Sequence, residues 1–204
     1  GNVSARLKDG TILCTPSGVS KGDMKAEMLV LLAADGTVIS AEEGYKPSSE
    51  MKMHLRCYSE REDVNAVVHA HPPIATSYAS MGKALDGYYM TENIMNLGAV
   101  PLASYARPST DEVPDSIAPL LQNHDAMLLA NHGALTVGET LTKAYFNMES
   151  LEMYAKTSLY IHLLGGAPDV SRERIDELLK LRENVYKLPG RHPGYVKYNK
   201  EDQK

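Results

Sequence analysis

Short apolar runs separated by Asp-Gly open the chain. Val3 to Leu7 and Thr11 to Cys14 flank Asp9-Gly10, and Leu29 to Ala34 and Thr37 to Ser40 flank Asp35-Gly36. Asp-Gly tolerates the positive φ that tight turns require, so each pair predicts a β-hairpin. After Pro47 the period changes. Met51, Leu55 and Tyr58 fall on one face of a helix entered through Ser48 and Ser49, whose oxygens suit the free N–H groups of a helix start. Ala66 to His71 is an apolar strand stopped by Pro72-Pro73, and Ala126 to Ala130 is another, stopped by Asn131-His132-Gly133. The longest helical pattern runs from about Leu141 to Leu164, with Ala144, Met148, Leu151, Tyr154, Ala155 and Leu159 at helical spacing and Gly165-Gly166 as its cap. A last helix is predicted near Arg172 to Tyr186. Hairpins mixed with helices predict an α/β chain in which helices cover a sheet with much antiparallel pairing.

Composition narrows the picture. A chain of 204 residues, 43% of them hydrophobic, can bury one good-sized core, so residues 1–204 are expected to form a single domain. The net charge of −5 excludes a general nucleic-acid or anionic-membrane surface, which would need clustered Lys and Arg. No apolar run approaches a membrane span and no leader pattern opens the chain, which predicts a cytoplasmic protein. Cys14 and Cys57 are too few for a disulfide framework and are expected to be reduced thiols. The start at Gly1-Asn2-Val3-Ser4, without methionine, predicts an upstream segment.

The candidate chemistry lies in the histidines. Alternate residues of a strand share a face, so His69 and His71 project together as a chelating pair. His132 is the candidate third ligand of a zinc centre with room for water or substrate. An HxH pattern also arises by chance, and core hydrogen bonds satisfy many buried histidines. The metal reading gains from His71 and His132 each standing where an apolar strand meets a breaker. His54 in mid-helix, His124 in a polar turn, His162 near a helix end and His192 in the tail are assigned structural roles. Ser17-Gly18 and Ser48-Ser49 offer hydroxyls and backbone N–H groups for a phosphate, or serve as a turn and a helix cap. Glu50 beside them either complements the helix dipole or acts as a general base.

In this order and at these separations, Gly1-Asn2-Val3-Ser4, Thr15-Pro16-Ser17-Gly18, Pro47-Ser48-Ser49-Glu50, His69-Ala70-His71 and Asn131-His132-Gly133 resemble the class II aldolase/adducin family over residues 1 to about 165. The resemblance implies a three-layer α/β/α fold around a mainly antiparallel sheet, with His69, His71 and His132 as Zn2+ ligands. It implies Glu50 as catalytic acid/base, and Asn2, Ser17, Gly18, Ser48 and Ser49 as phosphate contacts. It also implies a homotetramer with sites at subunit interfaces, where a tyrosine from the adjacent subunit handles the aldehyde oxygen. Tyr89 aligns with that residue, and Tyr88 stands beside it. The implied reaction is cleavage of a ketose 1-phosphate, L-fuculose 1-phosphate favoured, to dihydroxyacetone phosphate and a hydroxyaldehyde. Alternatives in the family are a pentulose-phosphate 4-epimerase, which tends to carry Asp at position 50, a methylthioribulose-phosphate dehydratase, and a non-enzymatic adducin-like interaction module.

Overall fold

The computed structural model describes residues 1–199. Its elements in chain order are β1 (Asn2–Arg6), β2 (Ile12–Cys14), β3 (Val30–Leu32), β4 (Val38–Ser40), α1 (Met51–Glu60), β5 (Ala66–Ala70), α2 (Pro73–Ser80), α3 (Thr91–Asn96), β6 (Leu102–Ala103), α4 (Glu112–Leu121), β7 (Ala126–Leu129), β8 (Gly133–Gly138), α5 (Leu141–Leu163) and α6 (Arg172–Leu181). The strands form one sheet in the order β4-β3-β2-β1-β5-β8-β7-β6. Among the described strands every pairing is antiparallel except β6 with β7.

Both sheet faces are covered, which explains why the central strands read as apolar runs rather than as alternation. Val67, Met127, Leu129, Leu135 and Val137 pack with Met53 and Cys57 of α1 and with Ile117 and Leu121 of α4. Ala66, Val68, Ala126, Leu128 and Ala134 face the other way, onto Ala75 and Ala79 of α2 and Ala144, Leu151 and Ala155 of α5. The result is the expected three-layer α/β/α arrangement. At the junction of β8 and α5, Thr136 donates its hydroxyl to the Ala144 carbonyl and Asn147 donates to Val137. The first turn of α5 is thereby clamped against the sheet.

Both predicted hairpins form, and α5 ends at Gly165 and Gly166, each with positive φ. Several elements were not predicted. The prolines read as a stop for β5 also start α2, because Pro73 occupies its first position, where a missing N–H costs nothing. In α4, Pro114 sits in the first turn and only Pro119 lies in the interior, so the helix persists where two prolines argue against it. β8 is four apolar-patterned residues between two glycines, too short to stand out by period. The predicted last helix is α6 followed by one π turn over Arg182–Tyr186, ended by Lys187 at φ 47°. Cys14 and Cys57 are free and buried, and burial pushes their thiols up to about 11 and about 12.

Candidate active site

β5 and the β7–β8 hairpin bring the three histidines together. His69 lies in β5 and His71 just past its end, so both rings leave the same side of the sheet. Leu129 pairs with Gly133 across a three-residue connection, in which Asn131 takes φ 56°. Asparagine tolerates this left-handed conformation, and the turn carries His132 to the end of β5. Gly133 permits the approach: a Cβ there would lie 2.6 Å from the Ala70 carbonyl oxygen and 2.7 Å from His71 Cδ2. The three ring centroids are 4.7 to 5.4 Å apart. One ligand atom from each histidine falls within 4.8 Å of the others.

The donor set suits a cation. His69 Nδ1 is 2.9 Å from the Ala134 carbonyl oxygen, which can only accept, so Nδ1 carries the proton and Nε2 the lone pair. Burial lowers this ring to about 4, which leaves it neutral at neutral pH. Its Nε2 is buried without a hydrogen-bond partner, an arrangement that costs free energy unless something is ligated there. Three imidazoles around an open position fit a divalent metal such as zinc. His71 is exposed at the rim, and its ring is lowered by partial burial.

Glu50 is the N-cap of α1, not a first-turn residue, and its side chain makes no capping bond to its own helix. The carboxylate turns instead to the histidines: Oε1 is 2.9 Å from His132 Nε2, and Oε2 is 3.5 Å from His69 Nε2. Asn2 Nδ2 donates to Oε2 at 2.7 Å. Burial raises the Glu50 carboxyl, but the hydrogen bonds from His132 and Asn2 work against it, and the group is held at about 2. An ionised carboxylate pointing at a cation pocket can accept a proton from a ligand bound there.

The candidate phosphate residues converge on the same rim. A bridge between Pro16 and Pro47, with the Ser17 N–H donating to the Lys46 carbonyl at 2.9 Å, lays the Ser17-Gly18 loop beside the start of α1. Ser17, Gly18 and Ser49 are exposed, and Gly18 has φ 75° with open space where a Cβ would go. Ser48 Oγ accepts from Asn2 Nδ2 at 3.1 Å and from the Glu50 N–H at 3.3 Å.

Residues 1–159 match the Class II Aldolase and Adducin N-terminal domain. This chain belongs to that family. Its curated relatives include a 3-oxo-tetronate 4-phosphate decarboxylase of Escherichia coli (strain K12), 38% identical over 173 residues covering 82% of this chain and 78% of the relative. Another is an L-fuculose phosphate aldolase of Haemophilus influenzae, 33% identical over 88% of this chain and 82% of the relative. A solved L-fuculose 1-phosphate aldolase superposes with a TM-score of 0.81 at 29% identity, covering 89% of this chain and 85% of that one. The aldolases and the decarboxylase among these relatives are lyases, enzymes that break carbon–carbon bonds.

Within this family site the structure separates the two tyrosines. Tyr88 is buried, stacks on Tyr195, donates to the Val196 carbonyl and accepts from the Val196 N–H, so it is fully used in holding the C-terminal segment. Tyr89 lines a cavity of about 160 Å³ with Ile74, Tyr78, Met81 and His162, none of which belongs to the histidine centre. His124 bonds the Leu120 carbonyl and the Tyr198 hydroxyl, and His192 bonds the Ile94 carbonyl, in keeping with structural roles. His54 is fully buried and hydrogen-bonded, as its structural assignment expects, and its partners are Asn2 and Ser4. The available signal was spacing, since Glu50, His54 and Tyr58 stand four apart along one helix face.

Proposed function

We propose that this chain is a zinc-dependent, cytoplasmic aldolase that cleaves a ketose 1-phosphate, L-fuculose 1-phosphate favoured, into dihydroxyacetone phosphate and a hydroxyaldehyde. The observation that carries this reading is the buried, unpartnered Nε2 of His69, set by Ala134 to present its lone pair beside His132 and Glu50. In this reading His69, His71 and His132 hold the metal, which supplies Lewis acidity to the ketone and its neighbouring hydroxyl oxygen. Glu50 moves the proton at the hydroxymethyl carbon. Asn2, Ser17, Gly18, Ser48 and Ser49 hold the phosphate, fixing that carbon in place. Tyr89, which lines a cavity that none of the three histidines shares, serves the aldehyde oxygen of a neighbouring subunit in a homotetramer. Glu at position 50 favours cleavage over 4-epimerisation, and the intact histidine set disfavours an adducin-like binding role.

A second reading has a specific observation behind it, the 38% identity to a 3-oxo-tetronate 4-phosphate decarboxylase. Loss of CO2 from a 3-oxo-tetronate 4-phosphate leaves the same three-carbon enediolate as retro-aldol cleavage, so the phosphate contacts and Glu50 keep their tasks. Only the departing group differs. Fuculose, rhamnulose, ribulose and 5-deoxyribulose 1-phosphates, 3-oxo-tetronate 4-phosphate and ribulose 5-phosphate, each incubated with the metal-loaded protein, separate the readings. Dihydroxyacetone phosphate plus an aldehyde supports the aldolase, and dihydroxyacetone phosphate plus CO2 supports the decarboxylase. Epimerised pentulose, dehydration, or no turnover at all overturns both.

A further inference from the structure

The buried face between β1 and α1 carries a string of polar groups, of which Tyr58, Ser4 and His54 have no part in the steps above. Tyr58 OH is 2.7 Å from Ser4 Oγ, Ser4 Oγ is 2.7 Å from His54 Nδ1, and His54 Nε2 is 2.6 Å from Asn2 Oδ1. Asn2 Nδ2 continues to Glu50 Oε2 at 2.7 Å and Ser48 Oγ at 3.1 Å. Register explains the alignment. Asn2 pairs with His69 and Ser4 with Val67, so Asn2 and Ser4 share the face that looks onto α1. His54 and Tyr58 lie one turn apart on that helix.

Every hydrogen in this string has one permitted direction. The Asn2 NH2 lies within reach of two acceptors, Glu50 Oε2 and Ser48 Oγ, so it faces them and the Asn2 carbonyl faces His54. His54 must then carry its proton on Nε2, leaving Nδ1 to accept from the Ser4 hydroxyl. Ser4 in turn accepts from Tyr58. At the other end, Ser48 Oγ accepts from both Asn2 and the Glu50 backbone N–H. Both of its lone pairs are used, so its own proton is left to donate outward, toward an anion at the rim.

We propose that His54 is a positioning residue of the active site: as a neutral, Nε2-protonated ring it locks the Asn2 amide so that Glu50 receives a donor and Ser48 presents one. The proposal rests on the reading of Glu50 as the proton-moving group. Full burial of the ring, which lowers it to about 3, keeps it uncharged at working pH. Without the lock, the Asn2 amide can turn its carbonyl toward the carboxylate, where two acceptors repel. The string orients and does not conduct protons, because an amide neither gives up an N–H proton nor takes one on its carbonyl at working pH.

The first measurement reads the wild-type protein and uses a variant only to assign its signals. Ring-nitrogen NMR of protein labelled with 15N-histidine, the His54 signals assigned by their disappearance in His54→Gln, reads the tautomer directly. Nε2–H and bare Nδ1 at pH 7 are expected. An Nδ1–H ring or an imidazolium overturns the proposal. The second measurement compares His54→Gln, whose amide N–H can stand near the lost Nε2, with His54→Asn, which reaches only the Ser4 side. Deuterium exchange into dihydroxyacetone phosphate should fall about 10²-fold in His54→Asn, the scale of a misplaced catalytic group, and recover at least tenfold in His54→Gln. KM for the phosphate should rise in His54→Asn as well. Equal losses in both variants, tracking melting temperature alone, would make His54 a mere core residue and overturn the proposal. Absence of exchange in the wild type would instead sink the Glu50 reading, and the tautomer would still decide whether His54 orients Asn2.

Discussion

At the scale of single residues, the site depends on lone pairs facing one point. Replacing His71 with alanine leaves two ligands and opens the rim, so His71→Ala should lose bound metal and activity together, measurable by elemental analysis of the dialysed protein. Full metal occupancy in that variant would remove His71 from the ligand set. Tyr89 separates the two proposed reactions. Aldehyde release needs a group at the aldehyde oxygen and CO2 release does not, so Tyr89→Phe should cut ketose cleavage about 10²-fold or more while sparing decarboxylation. An undiminished aldolase rate in that variant would take Tyr89 out of the mechanism.

At the scale of elements, the hairpin and the strand end are held in place by absent side chains. Gly133 and Gly138 close the two ends of β8, and a Cβ at either would meet backbone at 2.6 Å, Ala70 O in one case and Ala144 N in the other. Either alanine substitution should cost about 1–3 kcal/mol by overpacking. Only Gly133→Ala also presses on His71, so it alone should weaken metal binding. Equal metal affinity in the two variants would contradict the role given to the hairpin. The sequence made the Asp-Gly hairpins, α1, α5 and the HxH strand legible because their signals are local: a turn dipeptide, a period, a breaker. It left β8 and α4 unread because their stability comes from the sheet and helices they pack on, which no local pattern encodes. The same limit hid the string from Tyr58 to Asn2. Its members are ordinary as sequence and acquire meaning only when β1 lies against α1, whereas the histidines announced themselves by spacing.

At the scale of the whole molecule, the outer face of α5 shows Tyr145, Phe146, Met153 and Tyr160 each about half exposed, an apolar stripe that suits the proposed contact between subunits. Met153→Arg with Tyr160→Arg should shift the protein to smaller species by analytical ultracentrifugation and lower its activity, since Tyr89 then loses the site it serves. A wild type that sediments as an active monomer would refute the tetramer. Acid should act through buried rings. His54 and His192 are lowered by burial to about 3 and about 4 from an ordinary 6.5. Below pH 6.5 the unfolded chain takes up protons that the native rings refuse, so stability is full above that pH and falls toward pH 4. Each ring accounts for about 2 kcal/mol lost by pH 5. Urea unfolding at pH 7.5 and 5 checks this, and equal stabilities would contradict it. The central claim, that Glu50 moves a proton on a carbon held beside the three histidines, is tested most directly with dihydroxyacetone phosphate alone in deuterated water. Both the aldolase and the decarboxylase readings require the same enediolate. Metal-loaded wild type should exchange one hydroxymethyl hydrogen stereospecifically by NMR, and Glu50→Gln should do so about 10²–10⁴-fold more slowly at matched metal content and melting temperature. Exchange at the wild-type rate in that variant would contradict the account.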